Sequence, residues 1–238
     1  MDTERLYRVT RQELPRLEQI LNRCFAADPL YQTLIPDPAV RRRLMPELFH
    51  CDMDEMFGTC EVFADTPELH GLIVLSDKTE KRNLIQYYLT ELWAQLETDA
   101  YLLREDPSMQ TFHNFMKGED YLNSSWTGEL GEVPRLHIIY LAVSAEFQHH
   151  GIAAALMNEV LRQADAGNMM VSLETHNDRN LPFYRHFGFQ LYRKLNYGEF
   201  PLAQYCLVRP QQGEDKMPQS DRYDNHHMFY PGTTGKSI

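Results

Sequence analysis

Apolar residues along this chain recur with two different periods, and the changes of period mark the predicted elements. Residues 137–143 form a mostly apolar run rich in β-branched and aromatic side chains, which predicts a strand buried on both faces. After Gly151 the apolar residues recur at helical spacing, so one face of a helix is predicted to pack on a sheet. The run 169–173 predicts the next strand, and Gly167 is placed for the C′ position that ends the helix.

Similar patterns predict elements on both sides of this segment. Before it we expect a strand, two helices and a β-hairpin, at 6–9, 11–25, 39–54, 60–64 and 69–75. After it we expect a second hairpin, with strands at 190–197 and 203–208. A broad apolar stripe predicts an amphipathic helix at 80–97, and one or two weaker helices through Leu102 and Phe112 follow it.

The turn between the strand 137–143 and the helix after it has the composition of an anion site. The first amides of a helix have no intrahelical acceptor and lie at the positive end of the helix dipole. Gly151 lets the backbone approach a ligand that a Cβ would exclude, and Ala153 and Ala154 keep the first turn narrow. These amides could hold a pyrophosphate, although an ordinary strand-to-helix turn would have a similar sequence.

The sequence around this turn resembles the GNAT acetyltransferase superfamily. Val143 precedes Gln148 by five positions, the Q-x-x-G-x-A turn and a helix follow, and residues 173–189 read LETHNDRNLPFYRHFGF. This last segment is most similar to the puromycin N-acetyltransferase branch of the superfamily. The resemblance covers roughly residues 135–210, is looser over residues 1–76, and does not extend to the segment between them or to the end of the chain.

The resemblance implies an α/β fold with a mixed, splayed sheet of about six or seven strands and helices on both faces. Residues 1–208 would form a single GNAT domain, with a helical insert at 77–131 between strands 3 and 4 and a polar tail at 209–238. Inserts of this length are usually functional or disordered, and the aromatic content of this one argues against disorder. We expect it to form a lid or wall over the acceptor pocket, or alternatively a homodimer face.

The resemblance also implies an activity. Such enzymes use acetyl-CoA as cosubstrate and move its acetyl group to a primary amine by direct attack, without a covalent enzyme intermediate. We expect a small-molecule amine as acceptor, with a protein or peptide acetyltransferase and a non-catalytic CoA-binding domain as alternatives. Asp28, Phe25 and Tyr31 are candidates for the acceptor pocket, although a capping aspartate and core aromatics would look the same.

Particular residues match the family's cofactor contacts. The splayed strand would pair with the pantetheine arm through its free backbone groups, as a peptide adds to a sheet edge. The residues predicted to bind the cofactor are Leu141, Ala142, Val143, Gln148, His149, His150, Gly151, Ile152, Ala153, Ala154, Asn177, Asn180, Phe183 and Tyr184. Asn180 is also a good helix N-cap before Leu181-Pro182, and Asn177 is a second candidate for the asparagine near the pantetheine.

Two residues are predicted to be catalytic. Tyr184 matches the tyrosine that protonates the departing CoA thiolate, and its unperturbed pKa of about 10 suits a general acid. Glu174 matches a glutamate of the LET segment and is the first choice for the general base. His137 and His176 are alternatives, and either could instead be an ordinary hydrogen-bonded histidine. Positioning of the amine against the thioester can also supply much of the rate without a strong base.

Composition limits the partners and the compartment. The net charge of −11 over 238 residues disfavours nucleic acid, which requires clustered Lys and Arg. No stretch approaches the about 20 apolar residues that span a bilayer, and the N-terminal sequence lacks the apolar core of a secretory signal. The four cysteines have no C-x-x-C spacing and are interpreted as reduced thiols. We therefore expect a cytoplasmic monomer or homodimer that needs no metal and binds no membrane.

Overall fold

The computed structural model describes residues 5–77, 98–118, 124–196 and 201–213, which form a seven-stranded sheet with helices on both faces. The strands are β1 (Tyr7–Arg8), β2 (Glu61–Ala64), β3 (Gly71–Asp77), β4 (Arg135–Val143), β5 (Met170–Thr175), β6 (Gln190–Asn196) and β7 (Ala203–Arg209). The helices are α1 (Leu14–Phe25), α2 (Pro29–Leu34), α3 (Pro38–Thr59), α4 (Gln110–Gly118), α5 (Ile152–Ala166) and α6 (Leu181–His186). Residues 98–105 are also helical, whereas the predicted helix 80–97 lies outside the described residues.

The strand order is β1-β2-β3-β4-β5-β7-β6, and the sheet is mixed. β4 and β5 are parallel because α5 connects them, and the other neighbours are antiparallel. Both predicted hairpins are present, as β2–β3 and β6–β7, and the helical insert lies between β3 and β4. The fold class predicted from the sequence is therefore confirmed.

The central parallel pair separates part-way along its length. β4 and β5 pair only from Arg135 opposite Met170 to Ile138 opposite Leu173. β4 continues to Val143 on its own, and α5 follows after a short turn. One edge of β4 therefore has no strand partner beyond Ile138 in the described part of the chain, which is the expected splay.

The two faces of the sheet are covered by different helices. We call the face packed by α1, α2 and α3 the front face, and the face packed by α5 and α6 the back face. Side chains alternate along β3, so that Val74 belongs to the front core and Leu75 to the back core. The insert joins the front core through Leu102, and Asn114 Nδ2 donates to the carbonyl of Leu34 at 3.0 Å.

A β-bulge in β4 changes which side chains reach the front face. Ile138 lies opposite Leu75 and Tyr140 lies opposite Val74, so Ile139 is an extra residue in β4. Ile138 therefore packs in the back core, whereas Tyr140 packs in the front core. Without the bulge, strict alternation would place both on the same face.

The end of α5 differs from the prediction in one residue. Gly167 has a φ of −88°, and the left-handed conformation falls on Asn168, with a φ of 47°. Met169 N–H donates to the Ala164 carbonyl at 2.7 Å and Asn168 N–H to the Asp165 carbonyl at 3.2 Å, which is a Schellman motif. The predicted C′ role of Gly167 is wrong, because asparagine also tolerates this conformation and takes the position one residue later.

We expect Asn168→Ala to lower the free energy of unfolding by about 1 kcal/mol, because alanine is strained at positive φ. Asn168→Gly should leave it nearly unchanged, since glycine adopts this conformation without a steric penalty. Urea unfolding of the two variants measures the difference. Equal stability of the alanine and glycine variants would contradict the assignment of C′ to Asn168.

Candidate active site

The open edge of β4 presents main-chain groups to the gap between the splayed strands. Gly71 pairs with Val143 across β3 and β4, but both its N–H and its carbonyl bond Asp65 on the other side. The main-chain groups of Val143, and by alternation those of Leu141, therefore point into the gap, whereas those of Ala142 point to β3. Of the three predicted β4 residues, two have backbone groups that face the open edge.

Two side chains already contact this edge. The Val143 carbonyl accepts hydrogen bonds from Gln148 Nε2 at 3.1 Å and from Cys24 Sγ at 3.2 Å. Cys24 is in the last turn of α1, so the front helices reach the C-terminal end of β4. Burial raises the pKa of the Cys24 thiol, which keeps its proton available for this bond.

The turn before α5 leaves its amides open. Gly151 has a φ of 82°, and His149 also has a positive φ of 64°. The first backbone bond into the helix is from Ala155 N–H to the Gly151 carbonyl, at 2.9 Å. The amides from His149 to Ala154 have no backbone acceptor among the described residues, and a Cβ on Gly151 would meet no atom within 4 Å. The space over this turn fits a bound anion of the size of a phosphate group.

Tyr184 lies in α6 on the back face and is 9% exposed. Its ring packs edge-on against Phe183 and Phe189, with centroids 5.4 and 5.9 Å away. Burial, and to a smaller extent the negative charge of Asp28, raise the pKa of Tyr184 to about 12. Its hydroxyl, which has no hydrogen-bond partner within the described ranges, therefore keeps its proton at neutral pH.

Glu174 is held by donors on the front face. Ser124 Oγ donates to Oε1 at 2.5 Å, Trp126 Nε1 donates to Oε2 at 3.2 Å, and His137 Nε2 lies 3.2 Å from Oε2. The other ring nitrogen of His137 is 2.8 Å from Ser172 Oγ. Burial alone would raise the pKa of Glu174, but His137, Ser124 and Trp126 outweigh it and lower the pKa. Both oxygens of the predicted base are thus occupied, and so are both nitrogens of its alternative, His137.

The two predicted asparagines lie in the loop between β5 and α6. Asn177 Oδ1 accepts from Arg179 N–H at 3.2 Å, so Asn177 caps the short helical turn Asp178–Asn180. Asn180 Nδ2 lies 3.4 Å from Thr175 Oγ1, and its side chain makes no capping bond. Asn180 therefore stands at the expected N-cap position of α6 without a capping bond, and Asn177 caps the short turn before it. His176, the second alternative base, follows β5 in the same loop.

The sequence analysis missed a carboxylate on the front face. Asp52 of α3 accepts a hydrogen bond from Tyr140 Oη at 2.5 Å, and Tyr140 Oη is 3.4 Å from Tyr31 Oη. Burial raises the pKa of Asp52 to about 6, although the bond from Tyr140 opposes the shift. The only sequence signal is an aspartate between Cys51 and Met53, which are both buried.

The charge of Asp28 contributes to the pKa values of two buried tyrosines, Tyr31 and Tyr184. Asp28 caps α2, since its carboxylate accepts from Leu30 N–H at 2.9 Å. Burial raises the pKa of Asp28 itself. Of these two predicted acceptor-pocket residues, Tyr31 packs in the front core and Asp28 is the N-cap of α2.

The comparisons with known proteins agree with this geometry. Residues 92–189 match the family model described as the acetyltransferase (GNAT) family. The chain has the GNAT acetyltransferase fold. The matched family and the fold indicate an N-acetyltransferase, and they do not resolve the branch within the GNAT superfamily. A search among curated proteins returned no significant match.

Two solved structures illustrate the GNAT fold. A Corynebacterium glutamicum protein, described as histone acetyltransferase HPA2 and related acetyltransferase, is 15% identical, with a TM-score of 0.58 over 89% of this chain and 98% of its own. The PaiA N-acetyltransferase from Thermoplasma acidophilum, solved with coenzyme A, is 10% identical, with a TM-score of 0.50 over 86% of this chain and 97% of its own. At these identities the likeness establishes the fold alone.

The described residues contain neither a metal-binding group nor a membrane-spanning helix. Over residues 5–77, 98–118, 124–196 and 201–213, no three His, Cys, Asp or Glu side chains come close enough to hold a metal ion. No helix within these ranges has the length and apolar character needed to cross a bilayer.

We expect Glu174→Gln to lower the free energy of unfolding by about 2 kcal/mol near neutral pH, because a charged acceptor of several buried donors is removed. Because the folded-state pKa is lowered, the stabilisation by Glu174 is present above the unfolded-state pKa of about 4.3 and is lost as the pH falls. The deficit of the variant should therefore shrink in acid. Urea unfolding across this range measures it, with Glu146→Gln as an exposed control.

Proposed function

We propose that this protein transfers an acetyl group from acetyl-CoA to a primary amine of a small molecule by direct attack. The observation that carries the proposal is the open edge of β4 beyond Ile138, which is followed by a turn whose amides have no backbone acceptor among the described residues. An extended thioester cosubstrate has the right shape to follow that edge.

In the proposal each part of the cosubstrate has its own contacts. The amides from His149 to Ala154 bind the pyrophosphate, and the main-chain groups of Leu141 and Val143 pair with the pantetheine amides. The Gln148 side chain, which now donates to the Val143 carbonyl, gives up that acceptor to the arm. Asn177 and Asn180, which lie between β5 and α6, and Phe183 of α6 are assigned to the other side of the arm.

The chemistry follows from these positions. The amine nitrogen attacks the thioester carbonyl carbon, the C–N bond forms, and the tetrahedral intermediate collapses with loss of the CoA thiolate. Tyr184 donates a proton to the sulfur, since its hydroxyl is protonated at neutral pH and has no other partner within the described ranges. Glu174 stays a predicted base, although its oxygens already accept hydrogen bonds from Ser124 and Trp126.

The packing of the insert favours a small acceptor. Residues 98–118 lie against α2 and α3, where Arg104 Nη2 is 3.1 Å from Glu47 and Arg43 Nε is 3.2 Å from Glu105. We infer that these residues form the wall of the acceptor pocket and leave less room for a peptide than for a small amine. We retain residues 1–208 as one domain, the cytoplasmic location and the similarity to the puromycin N-acetyltransferase branch as parts of the proposal. A peptide acetyltransferase and a non-catalytic CoA-binding domain are the alternatives.

The decisive experiment is a thiol-release assay with acetyl-CoA and a panel of amines, beside calorimetric titration of CoA. The panel holds polyamines, aminosugars, puromycin, amino acids and short peptides with free N-termini. Turnover on small amines supports the proposal, and turnover on peptides alone would favour the first alternative. CoA binding with no turnover on any amine would favour the second.

We expect Tyr184→Phe to lower kcat by about 10²- to 10⁴-fold, because the thiolate then leaves without a general acid. Affinity for CoA should not change, since the hydroxyl contributes to the departing thiolate and not to the pyrophosphate. Steady-state kinetics with the best amine of the panel, together with calorimetry, separate the two effects. An unchanged kcat would remove Tyr184 from the mechanism.

We expect Gly151→Gln to abolish CoA binding, because a side chain would fill the open space over the turn. A loss of about 1 kcal/mol in the free energy of unfolding should accompany it, since a non-glycine residue is strained at positive φ. Calorimetric titration measures the affinity, and Glu146→Gln before the turn serves as control. Wild-type affinity in the glutamine variant would contradict the pyrophosphate assignment.

A further inference from the structure

A carboxylate and four aromatic rings form a compact cluster on the front face of β4. We define the Asp52 cluster as Asp52, Tyr140, Tyr31, Phe25 and Phe49. Phe49 packs against Tyr31 and Tyr140 with ring centroids 5.4 and 6.1 Å away, and Phe25 lies 5.5 Å from Tyr140. Every one of these pairs is edge-on, so the cluster has aromatic walls and one acidic group.

The acidic group has an unused oxygen. Oδ2 of Asp52 accepts the hydrogen bond from Tyr140, and Oδ1 has no hydrogen-bond partner among the described residues. No ion pair to Asp52 forms within those residues either, and its side chain is only half-buried. A carboxylate in an aromatic interior is costly unless a cation or donors compensate it. The Oδ1 oxygen can therefore accept hydrogen bonds from a ligand with a positive charge and N–H donors.

The Asp52 cluster adjoins the open edge of β4. Tyr140 lies on the open edge, which begins after Ile138, and the β-bulge turns its side chain to the front face. The anion-binding turn follows the other end of β4, so an arm that runs along the edge from this turn reaches Tyr140 last. The charge of Asp28 contributes, after burial, to the raised pKa of Tyr31 in the cluster and of Tyr184, the proposed general acid.

We propose that Asp52 binds the ammonium group of the acceptor and takes its proton before attack, with Tyr140 orienting the carboxylate. This inference rests on the proposed function and names the class of acceptor, a primary amine that is cationic in solution. The aromatic walls add cation–π attraction to the ion pair. Asp52 differs from Glu174 in the one feature that a base requires, an oxygen free to accept a proton.

The protons of the step balance. The ammonium group gives one proton to Asp52, which later releases it to solvent. The neutral amine then forms the C–N bond, and the C–S bond breaks when the tetrahedral intermediate collapses. The nitrogen loses a second proton as the amide forms. This proton replaces the one that Tyr184 gives to the CoA sulfur. The products are the acetylated amine, CoA thiol and one proton.

The pH dependence follows from the groups that face Asp52. Burial raises the pKa of Asp52 to about 6, although the hydrogen bond from Tyr140 of β4 opposes this shift. Tyr31 of α2 contacts Tyr140, and the pKa of Tyr31 is raised by burial and by the charges of Asp52 and Asp28. Several other charged groups on α3 and on the elements around it are paired with one another. These pairs are Glu18 with His50, Arg11 with Asp54, Arg8 with Glu61, Arg43 with Glu105, and Arg104 with Glu47. Activity should therefore fall as the pH drops below about 6.

The experiment compares Asp52→Asn, Tyr140→Phe and a matched control, Asp54→Asn, in the full chain. Asp54 lies two positions further along α3, is exposed and pairs with Arg11, so it reports the general effect of removing a charge from this helix. Three measurements are made on each variant. They are kcat/KM against pH with the best amine of the panel, calorimetric affinity for CoA, and the midpoint of thermal unfolding against pH.

We expect Asp52→Asn to lower kcat/KM by about 10²-fold or more and to remove the acidic limb of the profile, with CoA affinity unchanged. Tyr140→Phe should move that limb to higher pH, because the bond that lowers the pKa of Asp52 is lost; a purely structural tyrosine would not move it. Asp54→Asn should match the wild type. An Asp52→Asn variant with wild-type kcat/KM and the same acidic limb would overturn the inference.

The unfolding measurement tests the ionisation of Asp52 even if no amine of the panel is acetylated. Because the folded-state pKa of Asp52 is raised, its ionisation destabilises the wild type as the pH rises from the unfolded-state pKa of about 3.9 to the folded-state pKa of about 6. The thermal midpoint of the wild type should fall relative to that of Asp52→Asn over this range, which supports a basic, unpaired carboxylate. Parallel curves would overturn it. CoA affinity is a separate readout, so loss of CoA binding in the wild type would count against the proposed function instead.

Discussion

The main-chain hydrogen bonds of β4 are the constraint on which the rest of the structure depends. A buried strand must satisfy its N–H and carbonyl groups on both sides. Beyond Ile138, β4 has β3 on one side and no strand on the other among the residues that the structure describes. The Val143 carbonyl is satisfied by the side chains of Gln148 and Cys24, which come from the following turn and from α1. The open edge of β4 thus contacts both the turn before α5 and the front helix α1.

The β-bulge makes the same strand serve two cores. Ile138, just before the extra residue Ile139, packs in the back core, and Tyr140, just after it, packs in the front core. Because of this change, the hydroxyl of Tyr140 reaches Asp52 on α3 instead of packing under α5. A regular strand would leave Asp52 without its one donor among the described residues, and a buried carboxylate with no donor is more costly than one with a partial shell.

Local sequence patterns predicted the parts of the site that depend on local structure. The turn at Gly151, the helix after it and the position of Tyr184 all follow from periodicity and from the LET and NLPFY segments. The Asp52 cluster was not predictable in this way, because Asp52 and Tyr140 are 88 positions apart and meet only through the packing of α3 on β4. The shell of Glu174 depends likewise on Ser124, 50 positions away. At the end of α5, the sequence could not decide between Gly167 and its neighbour, because glycine and asparagine share the same conformational tolerance.

Glu174 of β5 and Asp52 of α3 are both carboxylates, and their different surroundings give them pKa values shifted in opposite directions. The donors around Glu174 outweigh its burial and lower its pKa, so its charge is already compensated inside the protein. Burial outweighs the single donor at Asp52 and raises its pKa, so its charge is compensated only when a cation arrives. A carboxylate whose proton affinity is raised by its surroundings binds and deprotonates an ammonium group, whereas a fully paired one holds the architecture in place. The partial shell of Asp52 is therefore what connects the fold of this chain to the charge of its acceptor.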